Sequence, residues 1–300
     1  MTVIDLSSGD LLTRISTHGG IVLGFWWMRD GLRLPLLREA PGDDADALAS
    51  GCYPLVPFGN RVKDNRFRFN GKDYLLRPNT DWDRHYLHGE GWQADWSIRQ
   101  QDAAMVELVF HHEADDATPY SYSAIQRFSL RAGALEFTLS VTNRGEEALP
   151  FGLGWHPYFP MTPETTLLAP ARKYWTEVED WLPGEATDIP TDVDFNEPRG
   201  LPHRWVNNGF EDWCGEAQIV WPERAAQLSL TADPLFRHAF VFVSDTRFDP
   251  AFRRDYFCFE PMTHLANGHN LPGLGDLAVL QVGETLSGSL RMTPSTTPDR

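Results

Sequence analysis

Cysteine is scarce in this chain. Cys52, Cys214 and Cys258 are the three among 300 residues, an odd number with no CxxC spacing. Neither a disulfide framework nor a zinc knuckle is indicated. Long apolar runs are missing as well. No stretch approaches the ~18 consecutive apolar residues of a membrane span, and the opening Met1-Thr2-Val3-Ile4-Asp5-Leu6 lacks the basic region and apolar core of a secretory signal. Positive charge is in deficit: 26 Lys and Arg stand against 42 Asp and Glu, a formal net charge of −16. Phosphate neutralisation needs clustered Lys and Arg, so nucleic acid is a poor partner, and so is an anionic membrane surface. These absences predict a soluble, cytoplasmic protein with neither a nucleic-acid nor a membrane partner. A Walker loop, GxGxxG, HExxH and GxSxG are all missing.

Helical periodicity is the other deficit. No long segment holds an i, i+3, i+4, i+7 apolar face, and 24 glycines and 22 prolines punctuate nearly every candidate. What is present is period two. Leu135, Phe137, Leu139 and Val141 alternate with polar residues, the pattern of a half-buried strand. Val106, Leu108 and Phe110 repeat it, as do Ala226, Leu228 and Leu230, and the apolar run Ala239–Val243 reads as a fully buried strand. Asn70-Gly71, flanked by Phe67, Phe69 and Tyr74, is the strongest hairpin signal. A content of 42% hydrophobic and 12% aromatic residues can fill a sizeable core. The expectation is an all-β protein built as a large antiparallel β-sandwich, with one domain over residues 1–300. Residues 38–50, acidic and small, and residues 160–205, rich in proline, read as long loops walling a cleft.

Three segments carry titratable side chains in rigid aromatic settings. Phe257-Cys258-Phe259-Glu260-Pro261 delivers a carboxylate at the end of an apolar run. Phe151-Gly152-Leu153-Gly154-Trp155-His156-Pro157-Tyr158-Phe159 and Tyr86-Leu87-His88-Gly89-Glu90-Gly91-Trp92 each place a histidine among glycines and aromatics. A carboxylate and two histidines are the parts of a general acid–base site. An isolated glutamate is more often a surface ion-pair member, and an isolated histidine before a proline is about as often a core residue. Phe259 and Pro261 favour burial of Glu260, and burial raises a carboxyl pKa towards a useful range.

Pro54-Leu55-Val56-Pro57-Phe58-Gly59-Asn60-Arg61, then His88-Gly89, then Gly154-Trp155-His156-Pro157-Tyr158-Phe159, then Phe259-Glu260-Pro261 together resemble the ordered signature of the aldose 1-epimerase, or mutarotase, family. The four blocks spread over most of the chain in family order. The resemblance implies a single large twisted β-sandwich with a sugar cleft on one sheet, and cofactor-independent exchange of α and β anomers of a free monosaccharide. It implies Glu260 as base, His156 as the acid that protonates the ring oxygen, and His88 as a second histidine hydrogen-bonded near that oxygen. Arg61 resembles the family arginine that binds sugar hydroxyls, with Asn60 beside it. No metal or cofactor is required by such chemistry.

The remaining assignments follow from neighbours of these motifs. Trp92, Trp155 and Trp213 are candidate stacking surfaces for a sugar face, with Trp155 placed in the binding set. His85 is expected to be exposed or structural, His264 and His269 to face solvent, and Lys63, Arg66 and Arg68 to be surface charges. His111-His112-Glu113 alternates faces and cannot easily chelate a metal. The chain departs from the family where an aspartate commonly precedes a phenylalanine: Asn207 stands there, with Asp212 close enough to compete for the assignment. A monomer or a homodimer is expected. Rival readings are a hexose-6-phosphate mutarotase, disfavoured because Glu90 follows His88-Gly89 and would repel phosphate, a sugar-lactone hydrolase, and a non-catalytic carbohydrate-binding module, which needs no Glu260–His156 pair.

Overall fold

Alternation in the sequence becomes two stacked antiparallel sheets. The computed structural model describes residues 1–297; among them there are eleven strands in one sheet, nine in the other and three further two-stranded pairs, and the only helical segments are short 3₁₀ turns. Ala134–Asn143 pairs with Tyr122–Arg131 and with Thr285–Thr296, and these long strands form the centre of the nine-stranded sheet. Their inward side chains, Leu135, Phe137, Leu139 and Val141, are fully buried. The expected all-β sandwich is therefore the observed one. Arg66–Phe69 and Lys72–Leu75 form the Asn70-Gly71 hairpin, with both turn residues at positive φ, as a two-residue type I′ connection demands.

The eleven-stranded sheet carries the functional candidates. Five consecutive strands in its middle are Cys52–Leu55, Gly154–Pro160, Tyr256–Met262, His238–Val243 and Val206–Glu211. Successive side chains on a strand point to opposite faces. Phe257 and Phe259 accordingly join the core between the sheets, whereas Cys258 packs with Tyr53, Tyr158 and Phe240 on the outer face. The register Gly154–Met262 and Tyr158–Cys258 sets His156 across from Glu260. His156 also faces Tyr53, and Glu260 faces Phe240. One transverse row of the outer face thus reads Tyr53, His156, Glu260, Phe240, Gly209. The row beside it carries Tyr158, Cys258, Phe242 and Asn207.

One of the two stretches expected as loops covers this face. Residues 38–50 lie over it through Ala45 and Ala47, and Asp46 caps the short turn Ala47–Ala49 by accepting from the Ala49 amide at 2.9 Å. Residues 160–205 are not a structureless loop: they contain the strands Thr166–Leu168, Lys173–Glu177, Pro183–Thr187 and Arg199–Gly200. Their short, proline-interrupted pairings left too little alternation for period two to show. No helix of the described residues is long and apolar enough to cross a membrane.

Candidate functional site

Glu260, His156, His88, Arg61, Asn60 and Asn207 all line one open cavity of about 760 Å³, within the range of small-molecule sites. Glu260 Oε1 lies 3.2 Å from His156 Nε2, and the carboxylate is buried. Its second oxygen, Oε2, has no hydrogen-bond partner among the described residues. Burial pushes the Glu260 carboxyl well above the usual carboxylate range, against a smaller opposing pull from the Arg61 charge. Burial pushes His156 the other way, down to about 3. Both shifts favour the uncharged forms, a protonated carboxyl beside a neutral imidazole. The His156 ring is fixed by stacking on Tyr53, with centroids 4.4 Å apart at 17°, and by Tyr158 at 4.8 Å.

His88 and Asn60 come from loops at one end of this row. Both have positive φ, at 62° and 60°, which asparagine tolerates more readily than most residues. The Asn60 amide donates to His88 Nδ1 at 2.9 Å, and the His88 amide donates to the Asn60 carbonyl at 3.0 Å. An accepting Nδ1 leaves the neutral ring's hydrogen on Nε2. Burial lowers the His88 pKa well below its ordinary value, so this tautomer persists at neutral pH. Gly89 follows at φ +68°, where a Cβ would sit 2.4 Å from both Pro57 Cδ and the Val56 carbonyl. That closeness is the physical content of the His-Gly pairing.

Arg61 is held rather than free. Its Nε donates to Asp83 Oδ2 at 2.7 Å, a buried pair, and its Cζ stands 5.1 Å from the centre of the Trp181 ring. The two terminal nitrogens have no protein hydrogen-bond partner among the described residues, so they remain available to a ligand. Sequence reasoning missed Asp83 and Trp181. Nothing short of the tertiary fold brings residue 83 to residue 61, although Asp83 lies only two residues before His85 and three before the strand Tyr86–Leu87 that pairs with Arg61–Val62. Arg38 and Tyr256 also line the cavity without having been singled out.

Several expectations are corrected. Trp155 is fully buried on the opposite face, packed on Phe137 and Phe236, with its indole donating to Gln126 Oε1 at 3.3 Å. Adjacent strand residues point apart, so His156 and Trp155 cannot share one site. Trp213 likewise packs against Phe259 in the core. Trp92 is buried beneath the site, stacked on Tyr53 at 5.6 Å, and does not line the cavity. His264 and His269 do not face solvent. His264 accepts from the Gly59 amide at 2.9 Å through Nε2 while its Nδ1 donates to Leu265 O, and His269 donates to the Tyr120 hydroxyl at 2.9 Å. Burial lowers their pKa values to about 4 and about 3.

His85 is structural: it is buried, and its Nδ1 accepts from the Asp64 amide. Lys63, Arg66 and Arg68 are exposed, as expected. His112 Nδ1 donates to Tyr120 O at 3.0 Å, and no cluster of three metal-ligating side chains exists among the described residues. Glu90 is turned away from the cavity, bonded to the hydroxyls of Tyr86 and Tyr122. Its proximity to His88 in sequence therefore gives no argument against an anionic ligand. Asn207 lines the cavity and donates to Glu177, whereas Asp212 is tied to Arg237 outside it.

Residues 2–293 match the family described as aldose 1-epimerase. The chain belongs to the aldose 1-epimerase family. The Escherichia coli K12 protein named as uncharacterized protein YphB is 44% identical over 294 residues, covering 97% of this chain and 98% of its own. A crystal structure of a candidate aldose 1-epimerase from the same organism shares 42% identity and a TM-score of 0.93, over 98% of this chain and 99% of that one. A galactose mutarotase-like protein from Clostridium acetobutylicum, 19% identical, superposes with a TM-score of 0.83 over 98% and 95% of the two chains and shares the fold. The aldose 1-epimerase fold places the Glu260–His156 row at the floor of its cavity.

Proposed function

We propose that this member of the family interconverts the α and β anomers of a monosaccharide without a cofactor. The observation that carries the reading is the buried Glu260–His156 pair, 3.2 Å apart at the floor of an open cavity. A surface ion pair has no reason to sit in a rigid aromatic cradle, and a binding module has no need of a proton-sharing dyad. In the reaction Glu260 takes the proton from the C1 hydroxyl. The bond between C1 and the ring oxygen breaks as His156 delivers a proton to that oxygen. Rotation about C1–C2 turns the aldehyde, and reclosure with the two roles exchanged forms the other anomer.

The carboxyl proton suits both tasks. Moving it from Glu260 to His156 creates a carboxylate base and an imidazolium acid in one step, with no change in net charge. His88 Nε2–H supplies a neutral donor beside the ring oxygen, and the free terminal nitrogens of Arg61 bind hydroxyls. Asn60 and Asn207 complete the polar lining. The monosaccharide is the only partner this chemistry needs. Polarimetry on freshly dissolved α-glucose, α-galactose and pentoses tests the reading. Acceleration that disappears in Glu260→Gln supports it, and no acceleration of any sugar in the panel overturns it.

A further inference from the structure

Arg38 stands in the cavity wall with a charge that the proposed proton transfers do not use. Its amide donates to Tyr158 O at 2.8 Å. Its Nε and Nη2 both donate to Ser50 O, at 2.9 and 2.6 Å, and Nη2 also reaches Leu48 O. The guanidinium stands over aromatic rings, with Cζ 3.7 Å from the Tyr158 centroid and 4.7 Å from that of Tyr256. Among the described residues no carboxylate pairs with it, and Nη1 has no hydrogen-bond partner.

This is a preorganised cation. Two tyrosine rings and two carbonyls fix its orientation, but they do not neutralise a full charge. Arg61 differs, because a carboxylate, Asp83, pairs with it at 2.7 Å. Arg247, exposed at the rim, is a second cation without a carboxylate partner among the described residues, and the acids lining the cavity are Glu260 and Asp249. Burial raises the Glu260 pKa, which favours its uncharged form. A cavity biased towards positive charge is notable in a chain of net charge −16, whose overall field repels anions and so requires a local cation to hold one.

Position sets the group that Arg38 would meet. The Tyr158 ring lies 4.8 Å from that of His156, and Arg38 Cζ lies a further 3.7 Å from the Tyr158 centroid. With C1 at the His156–Glu260 row, Arg38 stands about one pyranose ring away, where the carbon farthest from C1 would project. We propose that Arg38 holds an oxyanion on that carbon, so that the preferred substrate is an acidic aldose, bearing a carboxylate or a phosphate ester. The inference rests on the epimerase reading for the placement of C1.

The test measures binding and turnover separately. Titration calorimetry of the wild-type protein, Arg38→Gln and Arg38→Lys with glucuronate, glucose 6-phosphate and glucose reads affinity. Nuclear magnetic resonance exchange between anomers reads turnover on the same sugars. Loss of one charge-assisted contact corresponds to roughly tenfold or more in affinity. The expected result is that one anionic sugar binds at least about tenfold tighter than glucose, and that Arg38→Gln removes that advantage while Arg38→Lys keeps part of it. Which anion wins distinguishes carboxylate from phosphate. Equal binding of all three sugars by wild type overturns the inference, as does an advantage that survives in a folded Arg38→Gln variant. Arg38-dependent anion binding without exchange of any sugar would sink the epimerase reading and leave oxyanion binding by Arg38 standing. Exchange of glucose with no anion preference would do the reverse.

Discussion

His88 Nδ1 accepts the Asn60 amide at 2.9 Å while the Asn60 carbonyl accepts the His88 amide at 3.0 Å. This reciprocal clasp joins two loops 28 residues apart and commits the neutral imidazole to one tautomer. His264 braces it from behind, because its Nε2 takes the Gly59 amide next to Asn60. The clasp closes only because Gly89 lets the chain pass against Val56 and Pro57. Gly89→Ala is therefore expected to destabilise the fold by about 2–3 kcal/mol, read as a lower midpoint in urea. His88→Gln keeps a donor but breaks the clasp, and should lower turnover about tenfold or more with a smaller loss of stability. If Gly89→Ala has wild-type stability, the close approach of the two loops is not a constraint.

Glu260 makes a prediction in which activity and stability move in opposite directions. Glu260→Gln should lose roughly 10²–10⁴-fold in rate, the usual contribution of a general acid–base group. Its folded pKa is raised by burial, so between the unfolded value of 4.5 and the folded one the native state keeps a proton that the unfolded state has lost. Stability contributed by this group is full below pH 4.5 and falls as pH rises through that window, by at most about 1.4 kcal/mol per pH unit. Glu260→Gln removes the penalty. Its melting temperature relative to wild type should rise between pH 5 and pH 8, and the wild-type rate should show an acid limb with a midpoint above 4.5. A midpoint at or below 4.5 would contradict a buried base.

Much of this was legible in the sequence, and the exceptions have physical causes. The two sheets followed from period two, since Leu135 to Val141 has no other way to bury one face. Glu260 and His156 were legible as candidates because each is a titratable side chain in an otherwise apolar strand. Trp155 was misassigned although alternation itself forbade it: a side chain next to His156 on a strand must face the opposite way. His264 and His269 were misread because their partners, Gly59 and Tyr120, are 205 and 149 residues away. Asp83, Trp181 and Arg38 carry no local pattern at all. Their roles arise from loops laid over the sheet, which a one-dimensional reading does not order.

The buried histidines predict the acid response. His264 and His269 have folded pKa values near 4 and 3, against 6.5 when unfolded. Below 6.5 the unfolded state takes up protons that these rings refuse, so stability rises with pH across the window from about 4 to 6.5 and is lost as pH falls. The slope is at most about 1.4 kcal/mol per pH unit for each ring, and Glu260 opposes it above 4.5. Urea unfolding at pH 5 and pH 7 should show the lower midpoint at pH 5, and His269→Gln should narrow the gap. His85→Asn, away from the cavity lining, should cost stability and leave the rate near wild type, unlike His156→Asn, which should cripple turnover. Equal rate losses in the two variants would place His85 in the chemistry.

A metal-free mechanism predicts indifference to chelators. Ethylenediaminetetraacetate at millimolar concentration should leave anomer exchange by the purified protein unchanged over an hour. Among the described residues no three metal-ligating groups converge, and the proposed steps assign every proton to a side chain. Inactivation that added metal reverses would overturn the assignment of the acid and base to Glu260 and His156 alone.

Asn207 offers the sharpest test of how the lining is wired. Its Nδ2 donates to Glu177 Oε2, and Trp205 Nε1 donates to the same carboxylate at 3.0 and 3.2 Å. Burial already raises the Glu177 pKa, with these two donors and the Arg61 charge opposing it. Replacing the amide by a carboxylate would remove one donor and set two acids against each other, so one of them must hold a proton. Asn207→Asp is thus expected to lower kcat/KM by roughly tenfold or more at pH 8, less at pH 6, and to change the ranking of galactose, glucose and pentoses. Asp212→Asn should do neither, because Asp212 is paired with Arg237 outside the cavity. Adding Glu177→Gln to Asn207→Asp restores a donor facing an acceptor and should recover most of the loss. If Asn207→Asp alone is indistinguishable from wild type at pH 8, the contact with Glu177 does not shape the site; if Asp212→Asn controls the ranking, the sugar-binding position is Asp212.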